Sequence, residues 1–148
     1  KPVSIQNGYN LLNRVFDISL SEISIRENCG LMAYSPLAGG RLSGKYLNHK
    51  KPNNARYTLW PGRFSRHHTQ KGEEAIKKYL FLSQKYNLNI TDLSNAFVLS
   101  RPYLATSIFG VTSLDQLKNN LNCLNIDLTK DLLSEINQIH LADPNPCV

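Results

Sequence analysis

The 148-residue sequence has a single methionine, Met32, and none at its start. The chain is therefore expected to begin inside something longer, as a processed product, an isolated domain or a fragment. It lacks any apolar run near the ~20 residues that a membrane-spanning helix needs. Its first residues, Lys1-Pro2-Val3-Ser4-Ile5, lack the hydrophobic region of a secretion signal. No membrane association is expected, and the sequon Asn89-Ile90-Thr91 carries no weight without secretion. Only three cysteines occur, Cys29, Cys123 and Cys147, and they have no metal-ligand spacing. Reduced thiols in a cytoplasmic protein are expected, and no metal site. The adjacent His67 and His68 sit in a polar stretch and are expected to be solvated. The net charge of +6 comes from scattered residues, with small pairs at Lys50-Lys51 and Lys77-Lys78. A basic stripe with base-reading aromatics is missing, so no nucleic-acid partner is expected. The positive balance suits an anionic cofactor.

The densest signal is Tyr34-Ser35-Pro36-Leu37-Ala38-Gly39-Gly40-Arg41-Leu42-Ser43-Gly44-Lys45-Tyr46. Leu31 to Tyr34 is an apolar run between Gly30 and Pro36, which predicts a short buried strand. Glycines beyond it let the backbone approach a ligand and adopt positive φ. Exposed amides in such a loop bind anions, and Lys45 adds charge. A phosphate-binding loop at the carboxyl end of a strand is one expectation. An ordinary strand-exit loop with a surface lysine is the other. Gly39 to Tyr46 approximates G-x-x-x-x-G-K-[ST], but Tyr46 replaces the hydroxyl that would hold magnesium. A polar stretch with Pro52 follows where a helix should begin, so a P-loop ATPase is set aside.

Elsewhere the pattern alternates strands and helices. Val3 to Gln6 is β-like and Gly8 ends it. Ser19 and Glu22 predict a capping box for a helix with the apolar stripe Leu20, Ile23, Ile25 and Cys29, stopped by Gly30. Strand, helix, strand and glycine loop make a βαβ unit. Residues 47–69 form a long polar stretch with Trp60 and Phe64 embedded, which predicts a functional or mobile loop. Gln70 to Tyr86 is an amphipathic helix with Ala75, Ile76, Tyr79, Leu80, Leu82 and Tyr86 inside. A second helix runs from about Asp92 to Ser100, capped by Thr91, with Leu93, Ala96, Phe97 and Leu99 as core. Ala105 to Phe109 reads as the last strand, closed by Gly110. Thr112 or Ser113 caps a helix from Leu114, and such a helix start after a glycine turn favours anions. Asp127 to His140 is a final helix capped by Thr129, and the proline-bearing tail from Ala142 to Val148 is expected to be loose.

The glycine-rich stretch resembles the aldo-keto reductases, whose seventh barrel strand typically ends Y/W-S-P-L-x-x-G-x-L-[ST]-G-K-Y. The whole chain is similar to the C-terminal half of that family, closest to the bacterial Tas-type branch and the potassium-channel beta subunits. The resemblance implies an α/β fold, with residues 1–148 forming about units six to eight of a (β/α)8 TIM barrel. It implies an oxidoreductase that reduces aldehydes or ketones with NADP(H). Gln6 matches the family's glutamine beside the nicotinamide carboxamide; the alternative is a strand-end residue bonded to a neighbouring loop. Gly8 stands where Tas-type members often carry proline. Tyr34 matches the aromatic residue that stacks on nicotinamide, and Ser35, Pro36, Leu37, Ala38, Gly39 and Lys45 follow as cofactor-binding positions. The polar loop matches a cofactor cover, with Arg56 near a phosphate-facing arginine and Arg63 as a second candidate; exposed arginines are the alternative. Relatives read G-x-S-x-x-x-Q-L-x-E-N where this chain runs from Gly110 to Asn120. Gly110, Thr112, Gln116, Asn119 and Asn120 are thereby implied to contact the adenosine 2′-phosphate and adenine, although Asn119 replaces the usual Glu. A helix cap with polar, solvent-facing residues is the alternative.

The family's catalytic Asp, Tyr, Lys and His match nothing here; the resemblance places them in the first half of the barrel, ahead of Lys1. No catalytic residue is assigned, and this chain alone is expected to be inactive. A three-stranded parallel sheet with two open flanks is expected to need the N-terminal half-barrel or another partner. Two functions follow. One is the cofactor-binding half of an NADP(H)-dependent reductase acting on small carbonyl compounds. The other is a non-catalytic dinucleotide-binding or regulatory module, or an inactive remnant.

Overall fold

The computed structural model describes residues 1–63 and 65–148; Phe64, expected within the polar loop, lies outside the described residues. Three parallel strands lie in the order β1-β2-β3: β1 Ser4–Gly8, β2 Gly30–Tyr34 and β3 Leu104–Ile108. Parallel strands cannot be joined by hairpins, so each connection carries helices. The first holds α1 Leu20–Arg26, and the second holds α2 Arg56–Leu59, α3 Gln70–Lys85 and α4 Ile90–Leu99. After β3 come α5 Leu114–Leu121 and α6 Lys130–Ala142.

Side-chain alternation divides the sheet into two unlike faces. Leu31 and Ala33 are fully buried, and Ile5 packs with them against Ile76 and Tyr79 of α3, Phe97 of α4 and Ile136 of α6. The other face carries two rows of register partners, Gln6-Met32-Thr106 and Gly8-Tyr34-Ile108. Its side chains are exposed or half-buried. β1 and β3 each have one strand neighbour among the described residues. The architecture is that of a partial (β/α)8 barrel, as expected: helices on one face, a bare face on the other, and two open edges.

Local signals explain most element ends. Thr69, Ser113 and Thr129 accept from the amides of Gly72, Gln116 and Leu132 and so start α3, α5 and α6. The first crossover departs from expectation. Ser19 makes no cap bond, and Glu22 pairs with Arg26 at 2.8 Å, so no capping box forms. Ile23 and Ile25 are 49% and 57% exposed, so the stripe is not a core face. The helix stops at Arg26, and Gly30 lies inside β2. A Cβ on Gly30 would stand 2.7 Å from the Ala105 Cβ, so glycine is required there by strand proximity rather than as a helix stop. Asn89, not Thr91, caps α4, because its Oδ1 reaches the Thr91 amide at 2.8 Å. Leu99 is exposed at the last turn of α4 rather than core. The long polar loop holds α2 and two 3-10 turns, Leu47–His49 and Ser65–His67.

A buried polar knot ties the β1–α1 connection to β3. Tyr9 is fully buried, and its hydroxyl donates to Asp17 Oδ1 at 2.9 Å. The Tyr103 hydroxyl reaches the same oxygen and the Tyr9 hydroxyl. Arg14 Nε closes on Asp17 Oδ2 at 2.8 Å, with its guanidinium over the Phe97 ring. Burial, with Asp17 beside it, holds the Tyr9 hydroxyl far above its ordinary range. Both phenols therefore stay neutral donors.

The tail is docked rather than loose. Cys147 is 1% exposed, and its amide donates to the Leu12 carbonyl at 3.2 Å. The Thr69 hydroxyl, already capping α3, donates to the Pro146 carbonyl at 2.8 Å. The Asn145 Oδ1 accepts from the Arg14 amide at 2.6 Å. A Cβ on Gly72 would overlap the Cys147 Sγ and stand 2.8 Å from Thr69 Oγ1. Gly72→Ala is therefore expected to cost about 1–3 kcal/mol through overpacking, less the ~1 kcal/mol that alanine gains in a helix. Urea melts check this, and Gly72→Ala with Cys147→Ala should be more stable than the sum of the single effects requires.

Candidate functional site

The three strands end level, because Gly8, Tyr34 and Ile108 are register partners. The loops that follow leave from one end of the sheet, the end at which parallel α/β sheets bind ligands. Tyr34 is half-buried on the bare face and lies across β1. A Cβ on Gly8 would come 3.3 Å from Tyr34 Cζ, so Gly8 is the seat of the ring. Gln6 is exposed in the next row, beside Met32.

Beyond Tyr34 the backbone turns left-handed at Ser35, Ala38, Gly39, Gly40 and Gly44. Glycine meets three of these five positions, as expected. Ser35 at φ 56° and Ala38 at φ 47° do so with a side chain, at about 1–2 kcal/mol each. Neighbouring elements hold both. Asn10, 2% exposed, donates to the Ser35 carbonyl at 3.0 Å, while its Oδ1 accepts from the Leu12 and Asn13 amides. The Tyr57 hydroxyl donates to the Ala38 carbonyl at 3.3 Å, and a Cβ on Gly39 would overlap it. Burial pushes the Tyr57 hydroxyl up to about 12, so it remains a donor.

The expected cradle of open amides is largely closed within the loop. The amides of Ala38, Gly40, Leu42 and Gly44 donate to the carbonyls of Ser35, Leu37, Leu37 and Arg41. The amides of Ser35 and Leu37 donate to nothing among the described residues. Lys45 is exposed, and its ammonium sits 5.2 Å from the Tyr46 ring centre. Pro36, between Ser35 and Leu37, is buried. Arg56 is exposed at the first position of α2, and Arg63 is exposed in the turn after it.

At the exit of β3, Gly110 is exposed with open space where a Cβ would point. Gln116 Oε1 accepts from the Thr112 amide at 3.0 Å and its hydroxyl at 3.2 Å. The Thr112–Gln116 pair thus closes the start of α5 on itself, as the cap alternative foresees. Asn119 is exposed, but Asn120 is 5% exposed and accepts from Asn95 Nδ2 at 3.4 Å. Asn120 therefore ties α5 to α4. Gln6, Lys45, Arg56, Gly110, Thr112, Gln116 and Asn119 are all exposed, so these positions offer open surface, a candidate ledge, rather than an enclosed pocket.

His67 is 3% exposed rather than solvated, because the polar loop folds back over it. Burial, and then the charges of Arg66, His68 and Arg41, push it down to about 4. Arg41, also buried, reaches His68 Nδ1 at 3.2 Å. Behind the loop lies a cleft of about 610 Å³ lined by Arg41, Tyr46, Tyr57, Thr58 and the start of α3. None of the residues expected to hold a cofactor lines it. The sequence pattern missed Asn10, Arg41 and Tyr57; the Gly8-Tyr9-Asn10 turn was the one available signal. Among the described residues no three His, Cys, Asp or Glu side chains group as a metal site, and no helix is long and apolar enough to cross a membrane.

The model of the Aldo/keto reductase family matches residues 1–141. Protein tas of Escherichia coli K12 is 41% identical over 138 residues, covering 93% of this chain and 40% of the relative. An aldo-keto reductase of Babesia bovis is 34% identical over 146 residues, covering 94% of this chain and 51% of the relative. The chain thus spans about half or less of these relatives. In structure it is similar to a glycerol dehydrogenase of Gluconobacter oxydans, with a TM-score of 0.75 over 96% of this chain and 43% of that one, at 19% identity.

Two outcomes test the geometry. Gly39→Ala is expected to cost about 1–3 kcal/mol by overpacking, and Tyr57→Phe about 1 kcal/mol for the lost bond. In a double-mutant cycle followed by urea unfolding, Tyr57→Phe should relieve part of the Gly39→Ala cost. For His67, the folded value near 4 lies below the unfolded value of 6.5. Its contribution is complete above pH 6.5 and is lost as pH falls toward 4, at up to about 1.4 kcal/mol per pH unit. His67→Gln should flatten the wild-type decline between pH 6.5 and 5.

Proposed function

The chain belongs to the aldo/keto reductase family, and on that premise we propose that it forms the cofactor-binding end of an NADP(H)-dependent reductase barrel. The observation that carries this is the level ending of the three strands, which gathers Gln6, Tyr34, the Ser35 and Leu37 amides and the β3–α5 turn on one bare sheet end. In this reading the Tyr34 ring, seated on Gly8, forms the floor under the nicotinamide and Gln6 holds its carboxamide. The Ser35 and Leu37 amides, with Lys45 and Arg56, take the bridging phosphates. Pro36, Ala38 and Gly39 shape the turn that presents them. Gly110 leaves room beside the start of α5 for the adenosine phosphate, which would take the Thr112 donors from Gln116 Oε1 and leave the Gln116 side chain to contact it through its amide nitrogen. Asn119 reaches the adenine, while Asn120 acts by fixing α5 on α4. When bound, the dinucleotide supplies the hydride.

The proton for a small carbonyl substrate must come from another group, and the sheet edges of β1 and β3 are where further strands would add. We assign the Asp, Tyr, Lys and His of the reaction to an N-terminal half-barrel outside these 148 residues. The cytoplasm suits the three free, buried cysteines. A regulatory dinucleotide module shares the same ledge and differs only in lacking turnover.

The test is NADPH fluorescence on mixing with this chain, alone and with the N-terminal half-barrel of the E. coli relative. Enhanced NADPH emission is expected, strongest in the mixture, with carbonyl-dependent NADPH oxidation in the mixture only. Lys45→Ala should weaken NADPH about tenfold, ~1.4 kcal/mol, in the mixture. No NADPH binding in either preparation overturns the proposal. Turnover by this chain alone overturns the assignment of the proton donor.

A further inference from the structure

One buried side chain fastens the exit of β1 to the exit of β2. Asn10 stands just past the end of β1, and its amide group is used at both ends. Its Oδ1 accepts from the Leu12 amide at 2.9 Å and from the Asn13 amide at 3.1 Å. Its Nδ2 donates to the Ser35 carbonyl at 3.0 Å. The group fits only this way round, since Leu12 and Asn13 offer N–H donors and Ser35 offers an acceptor. The Ser35 carbonyl also accepts from the Ala38 amide at 2.9 Å, which closes the turn from Ser35 to Ala38. One residue earlier, the Tyr34 carbonyl accepts from the Tyr9 amide at 3.3 Å. Two successive carbonyls leaving β2 are therefore held by two successive residues leaving β1. Ser35 and Ala38 are both left-handed with a side chain present. Such backbone persists only where neighbours over-determine it, and it gathers at functional sites. At Ser35 the neighbour is Asn10.

We propose that Asn10 is a positioning residue for the dinucleotide: its Nδ2 holds the Ser35 carbonyl so that the Tyr34 ring and the Ser35 and Leu37 amides meet one bound cofactor together. This rests on the cofactor reading and assigns, within it, a residue that acts through the Ser35–Ala38 turn. The donor end of Asn10 sets the turn, and the acceptor end shapes the β1–α1 connection. The two ends can be separated chemically. Asn10→Asp keeps the size of the side chain and an oxygen that accepts from the Leu12 and Asn13 amides. Its second oxygen faces the Ser35 carbonyl, acceptor against acceptor, where a bond now stands. Asn10→Ala removes both ends and adds no repulsion.

NADPH fluorescence titrations test it, on the chain alone and mixed with the N-terminal half-barrel of the E. coli relative. They are run at about pH 8, well above the carboxylate range, so that the introduced acid is ionised. Asn10→Asp should weaken NADPH about tenfold or more, the scale of one buried hydrogen bond lost and its acceptor left opposed. Asn10→Ala should weaken it less, although it strips more bonds from the protein. A role confined to shaping residues 10–13 gives the reverse order. A second measurement needs no variant and keeps the test open if Asn10→Asp does not fold. In NMR spectra of the unsubstituted chain, the Asn10 side-chain amide signal should shift in step with the Ser35 backbone amide as NADPH is added. Unchanged affinity in Asn10→Asp, the reverse order of the two variants, or a fixed Asn10 signal while Ser35 shifts overturns the proposal and leaves the cofactor reading standing. No NADPH binding by the unsubstituted chain in either preparation overturns that reading, and the assignment of Asn10 with it.

Discussion

Everything in this chain depends on three parallel strands that stop at the same level. Parallel pairing forces each connection to cross over with helices, and the buried face formed by Leu31, Ala33 and Ile5 takes them. The opposite face keeps Gln6 and Thr106 exposed and Met32 and Tyr34 half-buried among the described residues. Had β2 slipped by one residue, Tyr34 would turn into the helical layer and Ala33 would be bared. Register is thus the physical link between packing and site. The same apolar alternation that drives helix docking also decides which side chains meet a ligand.

The glycine turn shows how a strained loop is kept in one shape. Ser35 and Ala38 adopt left-handed backbone with side chains present. Each is opposed by one side chain brought from elsewhere, Asn10 from the β1–α1 connection and Tyr57 from the start of α2. Asn10 is itself set by Tyr9, whose amide meets the Tyr34 carbonyl at 3.3 Å and whose hydroxyl joins the Asp17 knot. A buried tyrosine network therefore reaches the candidate ledge through one intervening residue. Chains of packed groups of this kind add positional order to a loop whose Ala38 and Leu42 are themselves fully buried.

Much of this was legible in the sequence. Short β-like runs bounded by glycine and proline gave three strands within one or two residues of their observed bounds. The 3.6-residue period of Gln70 to Tyr86 gave α3, and Ser113 and Thr129 gave two helix starts. Family motifs pointed to residues on β1, at the end of β2 and in the segments that follow β2 and β3. What escaped was non-local. The capping box at Ser19 failed because Glu22 found Arg26 instead. His67, His68 and the proline-bearing tail read as solvated from composition, yet His67 and Cys147 are buried by segments distant in sequence. Gly30 looks like a helix stop until Ala105 is seen to occupy the room a methyl would need. Asn120, read from the resemblance as a cofactor contact, is buried where α5 packs on α4.

The docked tail also constrains when folding can finish. Cys147 bonds to Leu12, and Pro146 to the residue that caps α3. Domains fold as the polypeptide emerges, N-terminal segments first, at about 5–20 residues per second. The contact between residues 12 and 147 cannot close until residue 147 has been made and has emerged. The α3 terminus and the β1–α1 turn therefore wait on a segment made long after them, and until it arrives nothing latches these two parts of the helical layer together.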